Sequence, residues 1–219
     1  MFSLSEILFP SRCIGCSRLG ISICSDCRSQ WHPHIYKREV SIFGHSYPVL
    51  SAIQYSPIAS RVLLSAKESQ IAAADNLIKT GIKHSLQIFL NQYGTGTLIS
   101  VPSRKSATRK RGRDFLEEIT SDLATDMKLA AASPLSHQRK VRDQSQLNTA
   151  QRALNVAEAF AVSSQFAALA AQGNNAPKII VIDDLITTGA TLSEAIRALS
   201  TAGFTVLGAV TSCTAKPLR

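Results

Sequence analysis

Two adjacent carboxylates, Asp183 and Asp184, precede a turn rich in threonine. The turn has the sequence Thr187-Thr188-Gly189-Ala190-Thr191. Its hydroxyls, together with the backbone N–H groups of a helix that starts there, can donate hydrogen bonds to an anion, and the helix dipole favours negative charge at that end. The carboxylates would repel the anion but accept protons from neutral hydroxyls. The pattern predicts a sugar phosphate, with its phosphate on the turn and its hydroxyls on the two acids.

A strand and a helix must hold these residues in place. The run from Lys178 to Ile182 is apolar after its first residue, which favours a fully buried central strand. From Leu192 to Leu199 apolar residues recur at helical spacing, and Gly203 is a helix stop signal. The predicted unit is strand, short loop and helix, and the alternative is an ordinary connection of this kind that binds nothing.

Four of the five cysteines form two CxxC pairs near the N-terminus. These are Cys13, Cys16, Cys24 and Cys27. In a reducing compartment such pairs bind metal rather than form disulfides, and four thiolates match a tetrahedral structural zinc site with no open position. His32 and His34 are alternative ligands nearby, and four metal-free cysteines are the other alternative. The isolated Cys213 is expected to lie in the core.

A strongly basic loop follows a short buried strand at 97–101 that ends at Pro102. Its positive residues are Arg104, Lys105, Arg109, Lys110, Arg111 and Arg113. In open α/β sheets ligands bind outside the carboxyl ends of the strands. The first five residues are therefore predicted to bind pyrophosphate or another polyanion, such as a nucleic-acid backbone. A solvated basic loop is the alternative.

The remaining patterns alternate between strand and helix. Strands are predicted at 45–55, 159–162 and 205–210, and helices at 57–92, with a break near Ser69, and 114–131. Residues 31–46 indicate a linker, and 133–151 a long mobile loop. Lys67 fits a solvated helix lysine.

The composition limits the number of domains and the class of partners that the protein can have. The 219 residues are 45% hydrophobic and carry a formal net charge of +9. The length allows one domain with an appendage, which we divide into residues 1–46, a zinc-knuckle region and linker, and residues 47–219. The charge favours polyanionic partners. The sequence shows no signal peptide and no apolar run of about 20 residues that would span a membrane, so a soluble cytoplasmic protein is expected.

The stretch from Lys178 to Thr191 closely resembles the motif with which type I phosphoribosyltransferases bind phosphoribosyl pyrophosphate (PRPP): four apolar residues, two acids, three variable residues and TGxT. The order of features along nearly the entire chain resembles the ComF family of competence-associated proteins. Besides the CxxC pairs, the resemblance rests on Val101-Pro102, Arg111-Gly112, Gln144, Leu147, Arg152, Asn155, Ala159 and Phe160. Many members carry RGFNQ in the basic loop, where this chain has Arg111-Gly112-Arg113-Asp114-Phe115.

The resemblance implies an α/β fold with a central, mainly parallel sheet flanked by helices, plus a small N-terminal zinc knuckle with four cysteine ligands. It implies PRPP binding with Mg²⁺ held largely by pyrophosphate and ribose oxygens. Asp183 and Asp184 would then be catalytic, stabilising an oxocarbenium-like transition state as pyrophosphate leaves. The acceptor is open. The alternative is a competence module for single-stranded DNA uptake, acting through DNA and protein partners without turnover.

Overall fold

A computed structural model describes residues 11–69, 71–103, 108–109, 112–138, 149–171, 173 and 176–215. Its elements are α1 (Ser25–Gln30), β1 (Tyr36–Ile42), β2 (His45–Gln54), α2 (Pro57–Ser69), α3 (Ala72–Tyr93), β3 (Thr97–Ser100), α4 (Phe115–Met127), β4 (Ala131–Ala132), β5 (Leu135–His137), α5 (Thr149–Val156), β6 (Phe160–Val162), α6 (Ser164–Ala170), β7 (Ile179–Ile186), α7 (Ala190–Thr201) and β8 (Val206–Thr214). None of the helices in these ranges is both long enough and apolar enough to cross a bilayer.

The main sheet has the strand order β1-β2-β8-β7-β3-β4. All neighbouring strands in it are parallel except β1 and β2, which form an antiparallel hairpin. The predicted fold class, a central and mainly parallel sheet flanked by helices, is confirmed. Residues Ile179 to Ile182 of β7 are fully buried, which explains the continuous apolar run: a parallel strand between two helical layers has no solvent face.

Helix α3 covers the centre of the sheet. One buried stripe, Ile78, Ile82, Leu86 and Phe89, follows the helical repeat and is 0% exposed. The helix contacts β8 and β2 and then leads into β3. The predicted break near Ser69 is confirmed, since α2 ends at that residue and α3 begins at Ala72.

Several segments differ from the sequence-based expectation. Strand β1 lies in the stretch assigned to a linker, and its hairpin with β2 crosses the proposed boundary at residue 46. The alternation of apolar and polar residues in β1 is weak because only Val40 and Ile42 are buried in this strand. The segment predicted as a mobile loop contains β5 and the beginning of α5, while 139–148 lie outside the described residues. Helix α6 was not predicted.

Candidate functional site

The site lies where β7 and β3 reach the same edge of the sheet. Ser100 pairs with Ile182, and the N–H of Val101 donates to the carbonyl of Ile182 over 2.9 Å. On the other side of β7, Asp183 pairs with Thr211 of β8. The acid pair and the start of the basic loop are therefore neighbours at the carboxyl edge, where open α/β sheets bind their ligands.

Asp183 and Asp184 lie inside β7 rather than after it. The strand continues to Ile186 because β8 is also longer than predicted and pairs with it as far as Thr214. Both acids are buried, with 8% and 5% of their surface exposed. Adjacent strand residues point to opposite faces, but Asp183 Oδ1 accepts a hydrogen bond of 2.8 Å from the Asp184 N–H. That bond keeps the Asp183 carboxyl beside Asp184.

Lys67 brings a positive charge to this site. The prediction that it is a solvated lysine on a helix is therefore wrong. Its Nζ lies 2.5 Å from Asp184 Oδ2, and its side chain is 32% exposed. Sequence spacing could not reveal the contact, because it joins the end of α2 to a strand far along the chain. The only feature of the sequence that could have indicated this contact is the position of the lysine near the end of a helix that precedes the motif.

Burial raises the pKa of Asp183 well above its ordinary value, and the adjacent Asp184 raises it further. The charge of Lys67 and the hydrogen bond from the Asp184 N–H act in the opposite direction. Two carboxylates that share a dry site cannot both ionise without a penalty. The ligand-free site therefore holds less negative charge than two exposed aspartates would.

The threonine turn leads into α7 as predicted. Gly189 is the N-cap residue at φ 88°, and Thr188 Oγ1 accepts from the Ala190 N–H over 3.4 Å. A Cβ on Gly189 would lie 2.8 Å from Val40 Cγ1. Glycine is therefore required by its left-handed conformation and by the packing of β1.

Arg38 of β1 fixes the same turn and was not found from the sequence. Its Nη1 donates to the carbonyl of Thr187 over 2.6 Å and to that of Ala215 over 3.2 Å. Burial lowers the pKa of Arg38, as expected for a guanidinium taken partly out of water. The hairpin thus brings a positive charge to the predicted phosphate site from a segment that the sequence assigned to a linker.

The basic loop is described only in part. Arg104, Lys105, Lys110 and Arg111 lie outside the described residues. Arg109 lines an open depression of about 430 Å³ together with Ser103, Thr108 and Gly112. The depression lies after β3, on the side where the acid pair is found, and it offers a basic wall to an anion.

Asp114 closes the basic loop. Its carboxylate accepts from Ser103 N–H over 3.0 Å and from Ser103 Oγ over 2.9 Å, and it also caps α4 at Glu117 N–H. The chain departs from the ComF-like RGFNQ pattern here, and the departure preserves an N-cap residue. Arg113, in contrast, is held by Asp75 at 2.6 Å and Glu118 at 2.8 Å. Arg113 therefore has a structural role, although it belongs to the basic loop.

The four N-terminal cysteines converge as predicted. The Sγ atoms of Cys13, Cys16, Cys24 and Cys27 all lie within 4.8 Å of one another, and all five cysteines, each within the described ranges, are free of disulfides. Cys16 and Cys24 are 3.6 Å apart, close to the separation of roughly 3.8 Å that a tetrahedral zinc site with bonds of about 2.3 Å requires. The cluster fits a metal ion, and neither His32 nor His34 belongs to it.

The thiols also differ in acidity. Burial raises the pKa of Cys13, but N–H groups led by that of Cys24 lower it more, so that it falls to about 6. Burial and the neighbouring thiols raise the pKa of Cys27. Without a cation the cluster can hold little negative charge, whereas a divalent ion would stabilise all four thiolates.

The cysteine cluster is packed against the helices that approach the acids. A Cβ on Gly15 would lie 2.6 Å from Cys27 Sγ and 3.2 Å from Ile58 of α2. Arg61 of α2 donates to the Gly15 carbonyl, and Trp31 Nε1 donates to the carbonyl of Leu77 over 3.3 Å. Helix α2 thus contacts the cysteine cluster at one end and Asp184, through Lys67, at the other.

The family model described as the phosphoribosyl transferase domain matches residues 107–218, just over half of the chain. No curated protein matches the sequence. Among solved structures, the chain is similar to an adenine phosphoribosyltransferase, with 11% identity over 87% of this chain and 89% of that one and a TM-score of 0.43. It is similar to orotate phosphoribosyltransferase from Aeropyrum pernix (14% identity, 81% and 73% covered, TM-score 0.34) and to adenine phosphoribosyltransferase from Leishmania donovani (8%, 87% and 80%, 0.37).

Proposed function

Because the chain belongs to the phosphoribosyl transferase domain family, we propose that it binds PRPP together with Mg²⁺ at the carboxyl edge of β7 and β3. One observation carries the proposal: the buried acid pair, the threonine turn at the start of α7 and the start of the basic loop adjoin one another at that edge. Each of the three groups suits a different part of PRPP.

The 5′-phosphate binds the turn of residues 187–191, where helix N–H groups favour an anion and Arg38 adds a positive charge. The ribose hydroxyls donate to Asp183 and Asp184. The pyrophosphate is held by Arg109 and by four residues that lie outside the described part of the chain: Arg104, Lys105, Lys110 and Arg111. Bound Mg²⁺ would neutralise pyrophosphate oxygens, which are hard ligands of the kind this ion prefers.

The proposed reaction is displacement of pyrophosphate from the anomeric carbon of the ribose. Positive charge develops on the sugar, and the carboxylates of Asp183 and Asp184 stabilise it from fixed positions. The basic loop stabilises the negative charge on the leaving group. Burial of the acids keeps water from weakening the first of these interactions.

We further propose membership of the ComF family, supported by the combination of the four-cysteine cluster with a phosphoribosyltransferase-like fold. The cluster then holds one structural Zn²⁺, and the reduced cysteines suit a cytoplasmic protein. A second candidate function, single-stranded DNA uptake with competence proteins and without turnover, is favoured by the net charge of +9.

Calorimetric titration of one preparation with PRPP plus Mg²⁺, and separately with single-stranded DNA, tests the proposal. We expect saturable PRPP binding at one site per chain, because the turn, the acids and the loop form a single constellation. Ribose 5-phosphate should compete for the site, since it presents the same phosphate and hydroxyls. DNA binding without any PRPP binding would reject the phosphoribosyl proposal and leave the nucleic-acid function.

A further inference from the structure

Lys67 lies where two parts of the candidate site meet. Its Nζ is 2.5 Å from Asp184 Oδ2 in β7 and 5.9 Å from the centre of the Phe115 ring. Phe115 is the first residue of α4, directly after the basic loop. Lys67 therefore stands between the acid pair and the end of the predicted pyrophosphate loop. It also lies outside the residues that the family model matches.

Asp184 needs a counter-charge because its side chain is only 7% exposed. A buried carboxylate without a partner is strongly destabilising. The adjacent Asp183 adds a second acidic side chain to the same buried place. Among the described residues, Lys67 is the cation that forms a salt bridge with either acid.

A neutral carboxylic acid and a carboxylate treat a sugar hydroxyl differently. The carboxylate accepts a hydrogen bond with either oxygen, and charge-assisted bonds of this kind are stronger than neutral ones. The ammonium group also lies against Asp184 Oδ2 and so limits the positions that this oxygen can take. Recognition of the ribose hydroxyls by Asp184 thus depends on Lys67 even where Lys67 does not touch the sugar.

We infer that Lys67 is a positioning residue for ribose recognition, holding the Asp184 side chain where it accepts the ribose 2-hydroxyl. The inference rests on the proposed function, since it assigns a role within the same site. It identifies the ligand class that depends on Lys67 as sugar phosphates with a 2-hydroxyl, as opposed to their 2-deoxy analogues. A merely structural ion pair would change stability and leave this sugar preference as it is.

The test compares the affinities of Lys67→Met and wild-type protein for ribose 5-phosphate and 2-deoxyribose 5-phosphate. Wild type should prefer the ribose compound, and Lys67→Met should lose about tenfold of that preference, the effect of one charge-assisted hydrogen bond. Affinity for the deoxy compound should change little, because the phosphate turn is intact. Lys67→Arg should retain the preference. Lys79→Met is the matched control, since Lys79 pairs with Asp122 and Asp126 away from the acids.

The double variant Lys67→Met with Asp184→Asn separates this role from a general loss of structure. If Lys67 acts through Asp184, the double variant should show the same sugar preference as Asp184→Asn alone. Additive losses, or a Lys67→Met protein with the wild-type preference, would overturn the inference while leaving the proposed function intact. A wild-type protein that binds neither sugar phosphate would overturn both.

Discussion

At the scale of the residue, the buried carboxyl of Asp183 lowers the stability of the folded protein. It is 8% exposed beside a second carboxyl, and burial holds its pKa well above the ordinary value of 3.8. A group with a raised pKa in the folded state contributes stability that is complete below the unfolded pKa and is lost as the pH rises through the folded pKa. The ligand-free protein should therefore become less stable from about pH 4 up to the raised folded pKa, because Asp183 loses its proton in the unfolded chain before it does so in the folded protein.

Asp183→Asn should remove that loss of stability. The amide keeps an oxygen that can accept from the Asp184 N–H but does not ionise. We expect the free energy of unfolding of the variant, minus that of wild type, to increase with pH by up to about 1.4 kcal/mol per unit. Urea denaturation at a series of pH values measures the difference. A difference that is independent of pH, or that falls as the pH rises, would contradict the burial argument.

The site residues that could not be predicted from the sequence share one property. Lys67 and Arg38 act through contacts with parts of the chain that are distant in sequence, the first with Asp184 and the second with Thr187 and Ala215. No local period or motif encodes such a pairing. The cysteines and the acid pair, in contrast, were predictable because their spacing alone defines their chemistry.

At the scale of the element, α2 connects two sites. Arg61 and Ile58 contact Gly15 beside the cysteine cluster, and Lys67 reaches Asp184 from about two turns further along the helix. The cluster is therefore packed into the same body as the acids, although its spacing alone suggested a separate appendage. The hairpin β1–β2 makes a similar connection, since its first strand carries a cation and an apolar contact to the threonine turn.

Loss of the proposed metal should therefore weaken ligand binding at the proposed sugar-phosphate site. Cys13→Ser should abolish bound zinc, lower the Tm of the whole chain by several degrees and weaken PRPP binding, because metal binding is coupled to folding of the segment that holds α2. Metal analysis, calorimetry and a PRPP titration measure the three effects.

Arg18→Gln provides the control, since Arg18 lies on the same knuckle and forms an exposed ion pair with Asp26. Such pairs contribute little, so its Tm and zinc content should equal those of wild type. A zinc-free Cys13→Ser protein with unchanged PRPP affinity would mean that α2 does not couple the two sites.

At the scale of the whole molecule, the sheet explains both what could be predicted and what could not. The mainly parallel α/β fold was implied by the resemblance to phosphoribosyltransferase-like proteins, and the apolar run of β7 indicated a buried central strand. The extension of β7 to Ile186 was not predictable from its own residues, because it depends on pairing with the equally long β8. The acids were consequently expected after the strand and are found within it.

The net charge of +9 bears on function at the same scale. A basic surface attracts both PRPP and DNA, so binding of a polyanion by itself does not separate the two candidate functions. The buried acid pair does separate them. Carboxylates favour a ligand that donates hydroxyl protons, and they oppose the phosphates of a DNA backbone.

The most direct measurement is the affinity of the double variant Asp183→Asn with Asp184→Asn for PRPP plus Mg²⁺ and for single-stranded DNA. The substitutions nearly preserve shape and remove charge. Charge-assisted hydrogen bonds are worth roughly 1.5–3 kcal/mol each, so PRPP binding should weaken by at least about tenfold. DNA binding should stay unchanged or become tighter, because negative charge is removed near a basic surface. A double variant that binds PRPP as tightly as wild type would contradict the ribose assignment, and with it the phosphoribosyl function.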